Sequence, residues 1–338
     1  MKKAKRESWV PKYVYKGRSA WEYRPIRNGV NIRLCALDSP KTLVIRRHAE
    51  EFEKFHTKQN TLKAMAGLYF KSGDFIEKKP RTQSDYIKYW EKLEPVFGHM
   101  DVNKITAPMF RRYMDTKGQK SKTQANRHRS LMSKIYSWGV QRGHANTNPI
   151  AQTSRFSEKA RDRYITDEEY NAIYEHACDR VKVAMEISYL CAAREGDVIK
   201  LKKMQLLDEG IKIKQGKTDK VQIKRWNTRL RQAIELSKTL KTGHASIFVI
   251  PTRTGTAYTE DGFRTMWSKA KAKARKETGL DLGNLHFHDI KAKSISDKEG
   301  TYADKQQFSG HSNASMIAIY DRKVQVVDAL DTDQKSDP

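Results

Sequence analysis

Between residues 11 and 35 apolar and polar positions alternate with a period of two. Tyr13 and Tyr15 lead to Gly17, Trp21 and Tyr23 follow, and Val30, Ile32 and Leu34 come after Asn28-Gly29. Alternation lays one face of a strand on a core, and Asn-Gly between alternating runs marks a hairpin. The pattern predicts a three-stranded antiparallel sheet. A helix opening at Ser39-Pro40 covers it through Leu43, Ile45, Ala49, Phe52 and Phe55.

From residue 61 the period changes to that of a helix. Leu62, Met65, Ala66 and Tyr69 start one helix; Tyr86, Tyr89, Trp90 and Leu93 mark a second that Pro95 should end. Thr106 and Pro108 open a third, with Phe110, Tyr113 and Met114. A fourth runs from about Ser121 to Arg142 with Leu131, Met132, Ile135 and Trp138 as its apolar stripe. Its other side carries Arg129, Ser130, Ser133, Lys134 and Ser137. Hydroxyls among cations suit a phosphate backbone, although a charged helix face is as often simply solvated. Asn146-Thr147-Asn148-Pro149 and the polar stretch to Arg163 read as a linker.

The remainder is mixed. Thr166-Asp167-Glu168-Glu169 is a capping box, and Val183 to Leu190 is apolar enough for a buried helix. Ile211 and Ile213 should face Val221 and Ile223 across a hairpin turn at 216–219. Thr259 caps a basic helix with Phe263, Met266, Trp267 and Ala270, and further helices are expected around His288, from Tyr302 and from Asn313 to Tyr320. The fold class is therefore multidomain and mainly α with small β elements: a sheet plus helix, a helical domain and a mixed α+β domain.

Charge narrows the partner. The 338 residues carry a formal net charge of +26 and a pI near 9.8, which favours a polyanion. No apolar run approaches a bilayer span, and Met1-Lys2-Lys3-Ala4-Lys5-Arg6 leads into no signal-type core. Cys35, Cys178 and Cys191 show no paired spacing, as in a reducing compartment. Lys12, Lys16, Arg18, Arg24, Arg27 and Arg33 on the first sheet suggest a DNA-docking module.

The candidate chemistry lies late in the chain. His288-Asp289-Ile290-Lys291, Gly310-His311 and Tyr320 offer acid–base groups, a cation and a nucleophile in one short stretch. Upstream stand Arg194, followed at three residues by Asp197, and Lys217 in Gly216-Lys217-Thr218. A guanidinium grips two phosphate oxygens at once. Taken singly, a helical tyrosine is usually core, a lone histidine usually structural, and Arg194 could simply pair with Asp197. His286-Phe287-His288 lacks further ligands at a metal-site spacing, so no metal and no cofactor is expected.

In this order the residues resemble the tyrosine recombinase, or phage integrase, family. Pro11-Lys12-Tyr13-Val14-Tyr15 and Trp21-Glu22-Tyr23-Arg24 look like that family's arm-binding module. The resemblance implies an arm-type DNA-binding domain at 1–60, a helical core-binding domain at 61–150, a linker at 151–163 and a catalytic domain at 164–338. It implies that Tyr320 is the nucleophile, Arg194, His288 and Lys291 the phosphate pocket, His311 a hydrogen bond to the phosphate or an aid to Tyr320, Lys217 the proton donor to the leaving oxygen, and Asp197 and Asp289 supports. The family's His-x-x-Arg is here His288-x-x-Lys291. Lysine keeps the charge and loses the two-pronged geometry, so Lys291 stands in for the arginine, with Lys293 a possible helper. The implied function is integration of phage or prophage DNA through a 3′-phosphotyrosyl intermediate. A homotetramer on DNA attachment sites is implied, with a host DNA-bending protein and an excision factor, in the cytoplasm of a bacterial host at its nucleoid. The alternatives are a DNA-binding regulator that has lost catalysis at Lys291, and a relaxing enzyme of the type IB topoisomerase kind. By resemblance the tail after Tyr320, with Val324, Val326, Val327 and Leu330, docks on a neighbouring protomer; a frayed end fits it equally.

Overall fold

The computed structural model describes residues 7–25, 31–324, 326, 327 and 329, with 54–59 in backbone alone. Arg27 and the Asn28-Gly29 turn lie outside the described residues, as do Leu330 and the rest of the tail to Pro338. The chain divides into two compact units, Met1–Lys159 and Ala160–Pro338.

In the first unit β1 (Val14–Lys16), β2 (Ala20–Tyr23) and β3 (Ile32–Ala36) form an antiparallel sheet in that order, followed by α1 (Lys41–Gln59). Val14, Trp21, Tyr23, Leu34 and Val44 make its small core. The alternation on β1 runs in the opposite phase to the one expected. Val14 faces inward, opposite Tyr23, while Tyr13 and Tyr15 are exposed. Tyr13 has φ +66°, so the chain is not extended until after it and the count of alternate positions restarts. The Arg24 guanidinium lies 5.4 Å from the Tyr15 ring centre, and Lys12, Lys16, Arg18 and Arg33 are exposed on the same module.

The helical part comprises α2 (Leu62–Phe70), α3 (Gly73–Ile76), α4 (Pro80–Phe97), α5 (Ala107–Lys120) and α6 (Lys122–Gln141). Thr61, Thr106 and Ser121 cap α2, α5 and α6 by accepting from Ala64, Met109 and Gln124 amides. Pro95 does not end α4, which continues to Phe97. A proline this near the C-terminus removes one amide bond, and Gly98 N–H still reaches Glu94 O at 2.8 Å. Leu93 and Phe97, four apart and both buried, hold that last turn on the core.

The polar side of α6 is largely occupied by the following segment. Arg129 donates to Thr153 O and Ala151 O, Ser130 accepts from Arg155, and Asn148 Nδ2 reaches both Ser133 and Ser137. Lys134 is exposed. The first half of the expected linker is thus fastened to the helical core, with Ile150 fully buried and Phe156 bonded to Asn126.

The second unit runs α7 (Asp167–His176), α8 (Asp179–Cys191), α9 (Glu195–Val198), β4 (Leu206–Leu207), β5 (Gly210–Lys214), β6 (Val221–Arg225), α10 (Thr228–Lys238), α11 (Glu260–Thr278), α12 (His288–Asp297), α13 (Tyr302–Ser309) and α14 (Ser315–Tyr320). Thr166 and Glu169 exchange both bonds of the capping box. Helix α8 is the hub: Val181, Val183, Ala184, Met185 and Ile187 are buried among α7, α10, α11 and α12. Its buried Glu186 is matched by Tyr170 Oη at 2.8 Å and by a two-pronged Arg229 at 2.5 and 2.7 Å.

Strands β4, β5 and β6 make a three-stranded antiparallel sheet in place of a lone hairpin. The register pairs Ile211 with Lys224 and Ile213 with Gln222. Opposite residues share a face. The side of β6 that lies with the buried isoleucines is therefore Gln222 and Lys224, while Val221 and Ile223 face outward with Lys214 and Lys212, contrary to the sequence pattern.

Candidate active site

The site grows from the end of α8. Ala192 takes a left-handed conformation (φ 49°) that stops the helix, and Ser188 binds Ala193 O to fix the turn. Arg194 follows as the N-cap of α9. Its guanidinium donates to Gln215 Oε1 at 2.6 Å. Asp197 accepts from Gly216 N at 2.8 Å, so the acidic residue holds the lysine-bearing turn; no Arg194–Asp197 ion pair occurs among the described residues.

Helix α12 brings in the next pair. His288 and Lys291, three apart, lie on neighbouring positions of one face. Lys291 is 1% exposed and donates to Ala192 O at 2.6 Å. Burial, with Arg194 and Lys224 nearby, pulls its ammonium down to about 7. Asp289 accepts from Arg161, from Arg322 and from His286 N, and these bonds hold its carboxyl below the usual range despite burial. Lys293 belongs elsewhere: its ammonium binds Tyr164 Oη, Asp167 and Asp297.

Helix α14 delivers Tyr320. Ile317 anchors it beside Ala192, Ala292 and Ile295, leaving Tyr320 9% exposed at the edge of that cluster. Tyr320 Oη lies 3.0 Å from His288 Nε2, and the His311 ring packs 4.8 Å from the Tyr320 ring, centre to centre. The chain just beyond is clamped: Asp321 pairs with Lys305 at 2.6 Å and Arg322 with Asp289 at 2.8 Å.

His311 Nδ1 meets Ser309 Oγ at 2.8 Å, while its buried Nε2 has no partner among the described residues. Ser309 Oγ also reaches Gln306 O, at 3.4 Å; in the tautomer where the hydroxyl donates to Nδ1 instead, Nε2 carries the ring proton. Burial first, then the surrounding cations, bring both histidines down to about 4, neutral at pH 7. Lys217 is exposed on its turn and belongs to the set of charges that depress His311.

The structure thus brings Tyr320, His288, His311, Lys291 and Arg194 into one cluster, with Lys217 on the adjoining turn. Gln215, Arg161 and Arg322 were not anticipated. Each acts across 21 residues or more, and no local spacing announces it.

Gly310 is required by geometry. It has φ +71°, and a Cβ there would fall 2.4 Å from Gln215 Nε2 and 2.6 Å from Gln222 Oε1. Gly310→Ala should displace His311 and destabilise the protein by about 1–3 kcal/mol, a lowering of melting temperature by several degrees. An unchanged melting curve would contradict this close docking.

Residues 163–325 match the phage integrase family and 63–155 the phage integrase central domain, together well over half of the chain. The integrase of Escherichia phage HK022 is 29% identical over 204 residues and that of Enterobacteria phage 434 is 25% identical over 209. Either alignment takes in 57% of this chain and 56% of the relative, so the chain spans a little over half the length of the curated relatives it matches. The fold also matches a lambda integrase tetramer bound to a Holliday junction, with a TM-score of 0.66 at 18% identity over 90% of this chain and 97% of that one. The chain belongs to the phage integrase family.

Proposed function

We propose that this protein is a site-specific DNA recombinase, in which the Tyr320 phenol attacks a scissile phosphate. The phosphorus–oxygen bond to the 5′ side breaks, a 3′-phosphotyrosyl ester forms, and the departing 5′ oxygen takes a proton from Lys217. That hydroxyl, or its counterpart on a partner duplex, then attacks the ester and releases the phenol. The bond energy is retained throughout, so strand exchange needs no ATP. The observation that carries the reading is the 3.0 Å contact between Tyr320 Oη and a neutral His288 Nε2, able to accept the phenolic proton, beside Lys291 and Arg194. His311 Nε2–H, buried and unpartnered among the described residues, suits a non-bridging phosphate oxygen.

The assembly proposed is a homotetramer on paired attachment sites, as in the lambda integrase structure on a Holliday junction. Integration of phage or prophage DNA is the role, with a host DNA-bending protein and an excision factor as partners. The domain roles stay as the resemblance implies: arm binding at 1–60, core binding at 61–150 and catalysis at 164–338. The deciding experiment incubates the protein with a nicked suicide duplex built from the flanks of its encoding gene. An SDS-resistant adduct on the 3′ side, mapped to Tyr320, supports the reading; absence of any adduct across those flanks rejects it.

A net charge of +26 predicts a second result. If about 6–10 phosphates are neutralised, affinity for duplex should fall about 10³–10⁵-fold between 50 and 200 mM salt. Fluorescence anisotropy would measure it, and a flat response would contradict electrostatic capture of DNA.

A further inference from the structure

The β5–β6 turn and the His311 turn are joined by side chains whose pattern suggests a role for a residue outside the proposed machinery. Three successive carbonyls at the C-terminus of α13 receive donors from the β5–β6 hairpin: Gln307 O from Gln222 at 2.6 Å, Phe308 O from Lys224, and Ser309 O from Gln215 in the turn at 3.0 Å. Helix C-termini leave such carbonyls without intrahelical partners, so these bonds set where the Gly310-His311 turn sits. Gln222 and Lys224 stop there. Gln215 does not: its Oε1 also accepts from Arg194 at 2.6 Å and from Thr218 Oγ1 at 3.0 Å.

We propose that Gln215 is a positioning residue for the DNA-cleaving step, its amide oxygen aiming the Arg194 guanidinium at the phosphate and holding the Lys217 turn through Thr218. The inference rests on the recombinase reading above. Gln215 is 4% exposed, so its amide cannot exchange these bonds for water, and its two ends are committed in opposite senses. The acceptor end serves Arg194 and Thr218, next in sequence to Lys217. The donor end serves Ser309, whose hydroxyl in turn meets His311 Nδ1. An arginine held at one nitrogen by a fixed amide oxygen keeps its remaining donors in a set direction, which matters because a guanidinium acts through planar geometry.

Two substitutions separate aim from mere packing. Gln215→Met fills the space and removes both ends. Gln215→Glu keeps an acceptor for Arg194 and Thr218, removes the donor to Ser309 and adds a negative charge beside the guanidinium. With saturating suicide duplex, Gln215→Met should lower the cleavage rate constant about 10- to 100-fold, the worth of one hydrogen bond to a charged group, while DNA affinity stays within about threefold. Gln215→Glu should recover most of that loss, with cleavage within about fivefold of wild type. Thermal melts on both variants accompany the rates. The proposal is overturned if Gln215→Met cleaves like wild type, if both variants lose activity equally, or if the loss follows melting temperature or DNA affinity. Wild-type protein that forms no Tyr320 adduct would sink the recombinase reading itself, a result distinct from any of these.

Discussion

Tyr320→Phe is expected to form no covalent adduct with a nicked attachment-site duplex while binding that duplex as tightly as the wild type. Phenylalanine has no oxygen from which to build the phosphate ester, so the loss is total rather than graded. The fold should barely notice. Tyr320 is held by its ring, packed on Ala192, Ala292, Ile295 and Ile317, and by backbone bonding of its carbonyl to Ser296 Oγ. The substitution keeps all of this and gives up one hydrogen bond to His288, a cost of about 1 kcal/mol. The measurement is a denaturing gel for adduct beside a mobility shift for binding. An adduct that survives in Tyr320→Phe would move the nucleophile to another side chain and dissolve the role given to His288. A variant that loses binding as well would leave the phenol as a structural group only.

Much of this site can be read from the chain because its members come in short local groups. His288 and Lys291 share a helix face by their spacing alone, and Gly310-His311 is a helix stop whose glycine is obligatory at φ +71°. Capping residues Thr106, Ser121 and Thr166 fall where their side chains indicate, since a cap is a contact across three residues. What escapes is phase and distance. A strand written Val221-Gln222-Ile223-Lys224 alternates equally well with either face inward. The inward side is chosen by pairing with Ile213 and Ile211, and by the α13 carbonyls that Gln222 and Lys224 satisfy. Tyr13 and Tyr15 escape in the same way, through one left-handed residue ahead of β1. Arg161 and Arg322 reach Asp289 from 128 and 33 residues away, which no periodicity records. Sequence suggests that Asp289 orients neighbours; in the fold it also ties the segment after Tyr320 to α12.

The second large effect concerns Lys291, the position where arginine is usual. Removing its charge with Lys291→Met should slow cleavage about 10²–10³-fold, as loss of one preorganised donor to a developing anion does. The same substitution should make the protein more stable, and the sign follows from titration. The ammonium lies at about 7 in the folded chain against 10.5 as its ordinary value. Between those values the unfolded chain carries a proton that the folded chain has shed, so stability rises with pH across that window. The burial cost is therefore fully present below pH 7. Lys291→Met relieves it there, by a net of about 1–3 kcal/mol once the lost donor to Ala192 O is counted, and the advantage fades toward pH 10.5. Catalysis runs the other way. With sub-saturating DNA the wild-type rate should decline as pH rises through about 7 and Lys291 loses its proton. Lys291→Arg should lack that decline, because a guanidinium stays charged throughout the accessible range. Denaturant melts at pH 6 and pH 9 and a pH–rate series on the three proteins test both arms. Identical pH–rate profiles for wild type and Lys291→Arg, or a Lys291→Met protein less stable than wild type at pH 6, would overturn the proposed role of the buried ammonium as a phosphate-binding cation.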